Sequence, residues 1–234
     1  MPIDDLPAAE HALVQLDELL ASSTHDKWQG FYADRGKPYP FFALVPDENL
    51  CSWAREGLIP SGKALDLGCG NGRNAVFMAR RAMSVEGVDF SPSAIEWAKA
   101  EIARANLSVR LRFASVFDLA FEPGSYDLVY DSGCFHHIPP HRRGHYVGLV
   151  AEVLKPGGVF GLVCFAPDGG SGYSDTDVYD RASMGGGLGY SEARLREIWS
   201  ESFHIESIRR MRDLGADSDM FGKSYLWALL GRKR

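Results

Sequence analysis

The sequence predicts a doubly wound α/β fold built around a mostly parallel, seven-stranded sheet. Short apolar runs alternate with helical stretches from residue 64 onward, a pattern typical of parallel strands joined by crossover helices. A glycine-rich turn follows the first of these runs, and no internal repeat is apparent. With 234 residues, of which 45% are hydrophobic, the chain is long enough to form one core.

The predicted strands are short apolar segments separated by predicted helices or turns. They cover residues 64–67, 84–88, 109–113, 126–130, 159–165, 204–210 and 225–230. The helices predicted between them cover residues 73–81, 91–105, 141–154 and 191–200. A Lys-Pro-Gly-Gly turn at 155–158 leads into the fifth strand, so strands and helices alternate without a break up to that point.

Residues 1–60 are predicted to form a helical and aromatic cover in front of the main domain. The apolar spacing within residues 8–20 is that of a helix with one buried stripe. The aromatic segment 28–42 is broken by one glycine and two prolines near its end, which indicates an aromatic-rich loop or a short helix. A further helix is expected from about residue 47 to residue 56, ending at Gly57.

Residues 61–234 are predicted to be one cofactor-binding domain with a glycine-rich insertion at 166–190. The insertion contains seven glycines and four aspartates, and it is longer and more polar than an ordinary connection. Such a composition fits either a lid or substrate loop, or a tolerated surface insertion. The sequence leaves both alternatives open.

The net charge of -6 disfavours nucleic acid as a partner, because phosphate backbones are bound by clustered Lys and Arg. The four cysteines show neither a Cys-x-x-Cys pair nor a regular spacing, so no zinc site and no disulfide framework are expected. The N-terminus is acidic, and no apolar run approaches the roughly 20 residues that span a bilayer. We therefore expect a cytoplasmic monomer or homodimer with a small-molecule or short-peptide substrate.

The segment LDLGCGNGRN at 65–74 is the strongest functional signal in the chain. It runs from a strand through Gly68, Gly70 and Gly72 into a helix. Glycine lets the backbone turn sharply and approach a ligand closely, and the helix that follows offers free N–H groups at its positive end. The pattern indicates a ligand-binding turn, although a turn that only packs strand against helix has the same glycines.

Two carboxylates near this turn distinguish the two interpretations. Asp66 precedes the glycines, where it can pair with the ammonium group of a ligand. Asp89 closes the next strand about 20 residues further on, the position from which a carboxylate reaches ribose hydroxyls in doubly wound folds. Arg73 occupies the place of the third glycine in the dinucleotide motif, so the NAD interpretation is weakened.

The motif DLGCGNG, followed by VDFSPSAIEWA at 88–98, resembles the nucleoside-binding half of the class I S-adenosylmethionine-dependent methyltransferases. The resemblance covers residues 61–165 and implies a Rossmann-like fold and S-adenosyl-L-methionine as cofactor. It places the glycine turn around the methionine part, Asp66 at its amino end, Asp89 at the ribose and Phe90 beside the adenine. The full set of cofactor-binding residues predicted in this way is Trp28, Asp66, Gly68, Gly70, Gly72, Arg73, Asn74, Asp89, Phe90, Ser115, Val116, Phe117, Asp131 and Ser132.

The adenine end departs from the pattern of the family. An acidic residue usually follows the third strand there, whereas this chain has Ser115. Either the Ser115 hydroxyl accepts the adenine amino group together with the backbone of Val116, or Asp118 reaches back to do so. Asp131 and Ser132 end the fourth strand, where the resemblance places residues beside the sulfonium.

A narrower resemblance points to the tellurite- and thiopurine-methyltransferase-like branch. It rests on GNGRN at 70–74, GCFHHI at 133–138 and the aromatic N-terminal segment. Members of that branch methylate small, soft acceptors, and their N-terminal segment covers the cofactor. The resemblance would place Trp28, Phe31 and Tyr32 in such a cover.

Methyl transfer is an in-line displacement, so the protein must mainly align the acceptor and exclude water. Tyr32, His136 and His137 are candidates for a catalytic group, and we expect at most one of the two histidines to face the acceptor. No compact acidic cluster predicts a metal. The leading hypothesis is methylation of a small molecule. The alternatives are an N- or O-methyltransferase of a peptide or natural product, and a non-catalytic S-adenosylmethionine-binding module.

Overall fold

The computed structural model describes residues 8–234, except for the side chains of residues 8, 9, 21–27 and 29. All the strands of this part of the chain belong to one mixed sheet. The strands are β1 (Lys63–Leu67), β2 (Ser84–Asp89), β3 (Arg110–Phe113), β4 (Tyr126–Ser132), β5 (Leu154–Phe165), β6 (Phe203–Arg210) and β7 (Leu226–Lys233). Their order is β3-β2-β1-β4-β5-β7-β6. The predicted strand number is confirmed. The sheet is parallel except that β7 runs antiparallel to both its neighbours.

The helices lie between the strands largely where the sequence predicts them. They are α1 (Ala8–Ala33), α2 (Glu48–Arg55), α3 (Arg73–Arg80), α4 (Pro92–Arg104), α5 (Arg143–Val153), α6 (Asp175–Asp180) and α7 (Glu192–Trp199). No helix within the described residues is long and apolar enough to cross a membrane. The acidic residues at positions 4 and 5 lie outside the described part of the chain.

Helix α1 is twice as long as the sequence predicts, and the expectation of a loop or short helix is wrong for its second half. The glycine and the two prolines that break the aromatic segment all lie after Ala33, where the helix has already ended. Trp28, Phe31 and Tyr32 are therefore helical neighbours at i, i+3 and i+4 and share one face.

The glycine-rich segment 166–190 contains a short helix that the sequence analysis missed. Helix α6 begins with a capping box in which the Ser174 hydroxyl accepts from the Asp177 N–H and the Asp177 carboxylate accepts from the Ser174 N–H. Arg143 on α5 forms a bidentate ion pair with Asp175, with N–O distances of 2.7 and 2.8 Å. These contacts attach the segment to the domain.

Two apolar clusters cover the two faces of the sheet. Leu65 and Leu67 belong to one cluster, whereas Ala64 belongs to the other, because successive side chains of a strand point to opposite faces. Helices α5 and α7 pack on the first face with Tyr146 and Trp199. Helices α2 and α3 pack on the second. This arrangement is the doubly wound layering that the sequence predicts.

The direction of chain winding reverses between β1 and β4, which lie side by side with Leu67 opposite Asp131. Ligands of open α/β sheets bind outside the carboxyl ends of the strands at such a reversal. Because β7 is antiparallel, its first residue, Leu226, lies opposite Phe165 at the same end of β5. The residues just before β7 therefore reach the same edge of the sheet.

Candidate active site

The glycine turn after β1 has a backbone that only glycine adopts easily. Gly68, Gly70 and Gly72 have φ angles of +66°, +56° and +80°. A Cβ atom on Gly68 would lie 2.7 Å from the Cβ of Cys134, and one on Gly70 would lie 2.7 Å from the Tyr32 hydroxyl. The turn is thus packed closely against the loop after β4 and against α1.

Asp89 at the end of β2 holds this turn in place. Its carboxylate accepts from the Gly70 N–H at 2.9 Å and from the Ser91 N–H at 2.8 Å. Burial raises the pKa of Asp89 to about 6, although the hydrogen bonds from Ser91, Gly70 and Phe90 oppose that rise. Asp89 and the glycine turn are therefore joined by hydrogen bonds into one unit.

Asp66 in β1 is only 1% exposed, and one of its carboxylate oxygens has no hydrogen-bond partner among the described residues. Burial raises the pKa of Asp66 well above its ordinary value, and the nearby carboxylates of Asp47, Asp131 and Asp89 raise it further. A buried carboxylate with an unpaired oxygen indicates that a cationic partner belongs beside it.

Arg73 and Asn74 at the start of α3 are held by Asp47, a residue that the sequence analysis did not single out as a site residue. The Arg73 guanidinium lies 2.5 Å from the Asp47 carboxylate and donates to the Ser132 hydroxyl at 3.0 Å. The Asn74 amide and the Tyr130 hydroxyl donate to the other oxygen of Asp47 at 3.0 and 2.7 Å. No local sequence signal marks Asp47, because its partners lie 26 to 83 residues away in the chain.

A single cavity of about 1180 Å³ joins these groups at the carboxyl edge of the sheet. The cavity is larger than the roughly 300–1,000 Å³ of typical small-molecule sites, so it has room for a cofactor and an acceptor together. Its carboxylates among the described residues are Asp17, Asp66, Asp89 and Asp118, against the one guanidinium of Arg73. The cavity therefore favours a ligand with positive charge.

The comparisons with known proteins agree with this geometry. A family model described as a methyltransferase domain matches residues 64–158. A 2-heptyl-1-hydroxyquinolin-4(1H)-one methyltransferase of Mycobacteroides abscessus is 30% identical over 188 residues, which are 78% of this chain and 75% of that protein. The chain belongs to the class I S-adenosylmethionine-dependent methyltransferases. The enzyme class and the cofactor predicted from the sequence are thereby confirmed.

Other relatives of this methyltransferase align over less of their length. An uncharacterised methyltransferase of Synechocystis is 37% identical over 122 residues, 52% of this chain and 53% of that protein. The chain thus spans about half the length of several curated relatives that it matches. A solved 1,6-didemethyltoxoflavin-N1-methyltransferase of Burkholderia thailandensis, with S-adenosylhomocysteine bound, has the same fold. Its TM-score is 0.59 at 22% identity, covering 97% of this chain and 91% of that one.

The residues that line the cavity fit the chemical groups of S-adenosylmethionine. S-adenosylmethionine carries an ammonium group and a sulfonium, and the cavity offers a buried unpaired carboxylate oxygen at Asp66. Gly68 and Gly70 line the cavity with backbone atoms alone. This half of the cavity can therefore accommodate cationic groups and a ligand that lies close to the backbone.

The predicted adenine residues also line the cavity. Phe90, Ser115, Val116 and Phe117 all do so, and so does Asp118. The Ser115 hydroxyl accepts from the Phe117 N–H at 3.3 Å, so it caps the short 3₁₀ turn that begins at Val116. Both alternatives for recognising the adenine amino group, through Ser115 or through Asp118, remain compatible with this arrangement.

Two predicted site residues, Gly72 and Asp131, do not line the cavity. Gly72 lies against Ala98 of α4, where a Cβ would meet that side chain at 3.0 Å. Asp131 is fully buried, and it accepts from the Cys134 and Phe135 N–H groups at 2.8 and 2.9 Å. Burial raises the pKa of Asp131 to about 7. Both residues therefore support the loops that line the cavity without lining it themselves.

Both predicted histidines line the cavity, and the expectation that at most one of them faces the acceptor stays a prediction. His136 and His137 lie on a 3₁₀ turn, Phe135–His137. Successive residues of such a turn are rotated by about 120°, and the cavity extends around both. His137 contacts the Trp28 ring edge to face with 4.6 Å between ring centroids.

The predicted aromatic residues of α1 also line the cavity. Trp28, Phe31 and Tyr32 belong to its wall. Burial raises the pKa of Tyr32 far above its ordinary value, and the nearby Asp89 carboxylate adds to the rise, so the phenol stays protonated. Tyr32 can therefore donate a hydrogen bond but cannot act as a base at neutral pH.

The wall next to the histidines contains aromatic residues that the sequence analysis missed. Phe165 ends β5, and Tyr225 comes directly before β7. Their rings lie 6.3 Å apart between centroids, and both residues line the cavity. They lie 60 positions apart in the chain, so only the antiparallel pairing of β5 with β7 brings them together. Neither belongs to a motif that could have predicted the contact.

Proposed function

We propose that the protein transfers the methyl group of S-adenosylmethionine to a flat, mostly apolar aromatic acceptor. The observation that carries the proposal is the aromatic wall beside the predicted sulfonium position, formed by His136, Phe165 and Tyr225. Planar rings stack favourably on such surfaces. The name of the M. abscessus relative, a hydroxyquinolinone methyltransferase, supports an acceptor of this class.

We assign the cofactor half of the cavity by the geometry of its polar groups. The cofactor supplies an electrophilic methyl group on a sulfonium, and the chain binds and orients it. Asp66 pairs with the ammonium group, the Arg73 guanidinium with the carboxylate, and Asp89 accepts from the ribose hydroxyls. Phe90 and Val116 flank the adenine, and the end of β4 at Ser132 lies beside the sulfonium.

We further propose that α1 is a cover over both ligands and belongs to an N-terminal unit of residues 1–60. Asp17 on α1 forms an ion pair with Arg142 and a 2.8 Å contact with the Nε2 atom of His141. The Nδ1 atom of His141 lies 3.0 Å from the Tyr179 hydroxyl of the glycine-rich segment. These contacts connect α1 to the segment 166–190, which supports a lid role for both.

The narrower placement in the tellurite- and thiopurine-methyltransferase-like branch stays a prediction, as do the cytoplasmic location and the oligomeric state. Turnover to S-adenosylhomocysteine against a panel tests the acceptor. We expect 2-heptyl-1-hydroxyquinolin-4(1H)-one to react faster than glutathione, tellurite, primary amines or short peptides. Faster turnover of a peptide or of tellurite would contradict the aromatic-acceptor proposal. No turnover with any of these compounds, together with binding of the cofactor, would favour a non-catalytic binding protein.

Cofactor affinity is expected to fall at acid pH. Asp89 accepts hydrogen bonds best when ionised, and its pKa of about 6 in the free protein means that protonation competes with binding below that value. We expect the Kd for S-adenosylhomocysteine to be about tenfold weaker at pH 5 than at pH 7. Calorimetric titration measures this directly, with circular dichroism as the control for folding at pH 5. A Kd that is flat between these pH values would contradict the role of Asp89.

Removing the ring of Trp28 tests the cover. Trp28→Ala is expected to weaken binding of S-adenosylhomocysteine about tenfold, because the substitution opens the cavity and removes a large aromatic contact. Trp28→Phe keeps an aromatic ring and serves as the control, with an expected change of less than about threefold. Equal affinity of the alanine variant and the unmodified protein would contradict the cover.

A further inference from the structure

His136 is the most tightly fixed polar side chain on the acceptor side of the cavity. The residue is 4% exposed, and its ring stacks on Phe165 with 3.8 Å between centroids and 18° between planes. Gly187 of the glycine-rich segment packs against the edge of this stack, where a Cβ would lie 2.8 Å from Cε2 of Phe165 and 3.0 Å from Cδ2 of His136. The Leu188 N–H donates to the carbonyl of His136 at 2.8 Å. The ring therefore has one orientation.

The backbone also determines which nitrogen of His136 carries the proton. The Phe165 N–H donates to Nδ1 of His136 at 3.1 Å. A backbone N–H can only donate, so Nδ1 must present a lone pair and the proton of the neutral ring must lie on Nε2. Burial lowers the pKa of His136 well below its ordinary value, and the neighbouring His137 lowers it further, so the ring is neutral.

The Nε2–H group of His136 has no hydrogen-bond partner among the described residues, although the residue is almost fully buried and lines the cavity. A ligand that shields this donor from water without accepting a hydrogen bond from it would lose about 1–3 kcal/mol of affinity. An oxygen or nitrogen lone pair of a bound molecule would avoid that loss. The polar groups of the cofactor have other predicted partners, which lie at the ends of β1 and β2.

We propose that His136 is a specificity-determining hydrogen-bond donor, whose Nε2–H binds an oxygen or nitrogen lone pair of the methyl-accepting molecule. The inference rests on the proposed function and refines it, since it replaces the base considered from the sequence with a donor. The acceptor atom supplies the electron pair of the new bond to carbon, and the pair of the broken sulfur–carbon bond stays on sulfur. His136 takes up no proton in this step.

The donor role restricts the class of acceptor. A fixed N–H favours molecules that carry a carbonyl or an ionised hydroxyl, such as an N-hydroxyquinolinone, because it stabilises negative charge on oxygen. An ammonium acceptor has no lone pair, and neither His136 nor the protonated Tyr32 can remove its proton. We therefore expect acidic hydroxyls, thiols and heteroaromatic nitrogens to be methylated faster than alkylamines.

The first test needs neither cofactor nor acceptor. Two-dimensional ¹H–¹⁵N NMR of the histidine rings in the full chain reports which nitrogen is protonated, and His136→Gln assigns the signals of this residue. We expect a protonated Nε2 and an unprotonated Nδ1 of His136 at every pH from 6 to 8. A proton on Nδ1, or titration of the ring within that range, would overturn the proposal even if the protein proves to be an aromatic methyltransferase.

The second test separates a donor from a base by kinetics. His136→Gln keeps an N–H donor near the position of Nε2 but cannot act as a base, whereas His136→Phe keeps only the flat ring. With 2-heptyl-1-hydroxyquinolin-4(1H)-one, we expect His136→Gln to retain kcat within about threefold and His136→Phe to raise KM about tenfold. The Kd for S-adenosylhomocysteine should stay unchanged in both variants, as in the exposed control His204→Gln.

Loss of kcat in His136→Gln to the level of His136→Phe, with loss of the acidic limb of the pH profile, would identify a base and overturn the proposal. Unchanged KM in His136→Phe would overturn it as well. If the unmodified protein does not turn over this compound, the proposed acceptor class is wrong for that compound, and the NMR result alone decides the role of His136.

Discussion

Replacing Asp66 by asparagine is expected to weaken binding of S-adenosylhomocysteine on the order of 100-fold, because removal of one partner from a buried charge pair costs about 2–5 kcal/mol. The same substitution should leave the unliganded protein at least as stable as before at pH 8. The carboxylate of Asp66 is buried with one oxygen unpaired, and burial raises its pKa because its charge is unfavourable without a ligand. Calorimetric titration and thermal melting measure the two opposite effects.

Asp127→Asn is the matched control for this prediction. Asp127 lies near the other end of β4 and forms a 2.7 Å ion pair with Lys155, which lowers the pKa of its carboxyl group. The control substitution should leave cofactor affinity unchanged and lower stability slightly, the reverse of the Asp66 result. A lower melting temperature for unliganded Asp66→Asn at pH 8, or cofactor affinity equal to that of the unmodified protein, would show that Asp66 is a structural residue.

A second large effect is expected at the glycine turn. Gly68→Ala introduces both a strained backbone, since φ is +66°, and a Cβ atom 2.7 Å from the Cβ of Cys134. We expect a loss of about 3 kcal/mol or more in the free energy of unfolding, from strain of about 1–2 kcal/mol and from overpacking of about 1–3 kcal/mol. Cofactor binding should be lost with the shape of the turn. Urea denaturation and titration measure both.

Gly57→Ala isolates the backbone contribution. Gly57 follows α2 with φ of +73°, and a Cβ there would meet nothing within 4 Å. This variant should lose only about 1–2 kcal/mol of stability and keep its full affinity for the cofactor. Equal losses in the two variants would mean that the close approach to Cys134 is unimportant and that backbone strain alone explains the need for glycine at position 68.

The cofactor half of the site could be predicted from sequence because its determinants are local. The glycines, Asp66 and Asp89 lie within 24 residues, and the strand–turn–helix pattern fixes their relative positions. Helix α6 could have been predicted as well, because Ser174 and Asp177 have the spacing of a capping box. The second half of α1 was not predicted, although its aromatic residues lie three and four positions apart, which is the spacing of one helix face.

The contacts that could not be predicted join residues that lie far apart in the chain. The contact between Phe165 and Tyr225 depends on the register of an antiparallel strand, and the partnership of Asp47 with Arg73 depends on how α2 packs beside α3. Likewise, the proton position on His136 follows from a hydrogen bond with a backbone group 29 residues away. A candidate histidine was visible in the sequence, but its chemical role was not.

The match to the methyltransferase family model ends at residue 158, before the two segments that contribute Phe165 and Tyr225 to the aromatic wall. Under the proposed function, His136 lies within the matched stretch, whereas Phe165 and Tyr225 lie beyond it, so part of the surface that selects the receiving molecule is encoded apart from the glycine turn. Substitutions at Phe165 or Tyr225 can alter that surface without changing the glycine turn, Asp66 or Asp89. Such a division allows new acceptors to evolve on an unchanged cofactor site, so relatives that share residues 64–158 need not share a substrate.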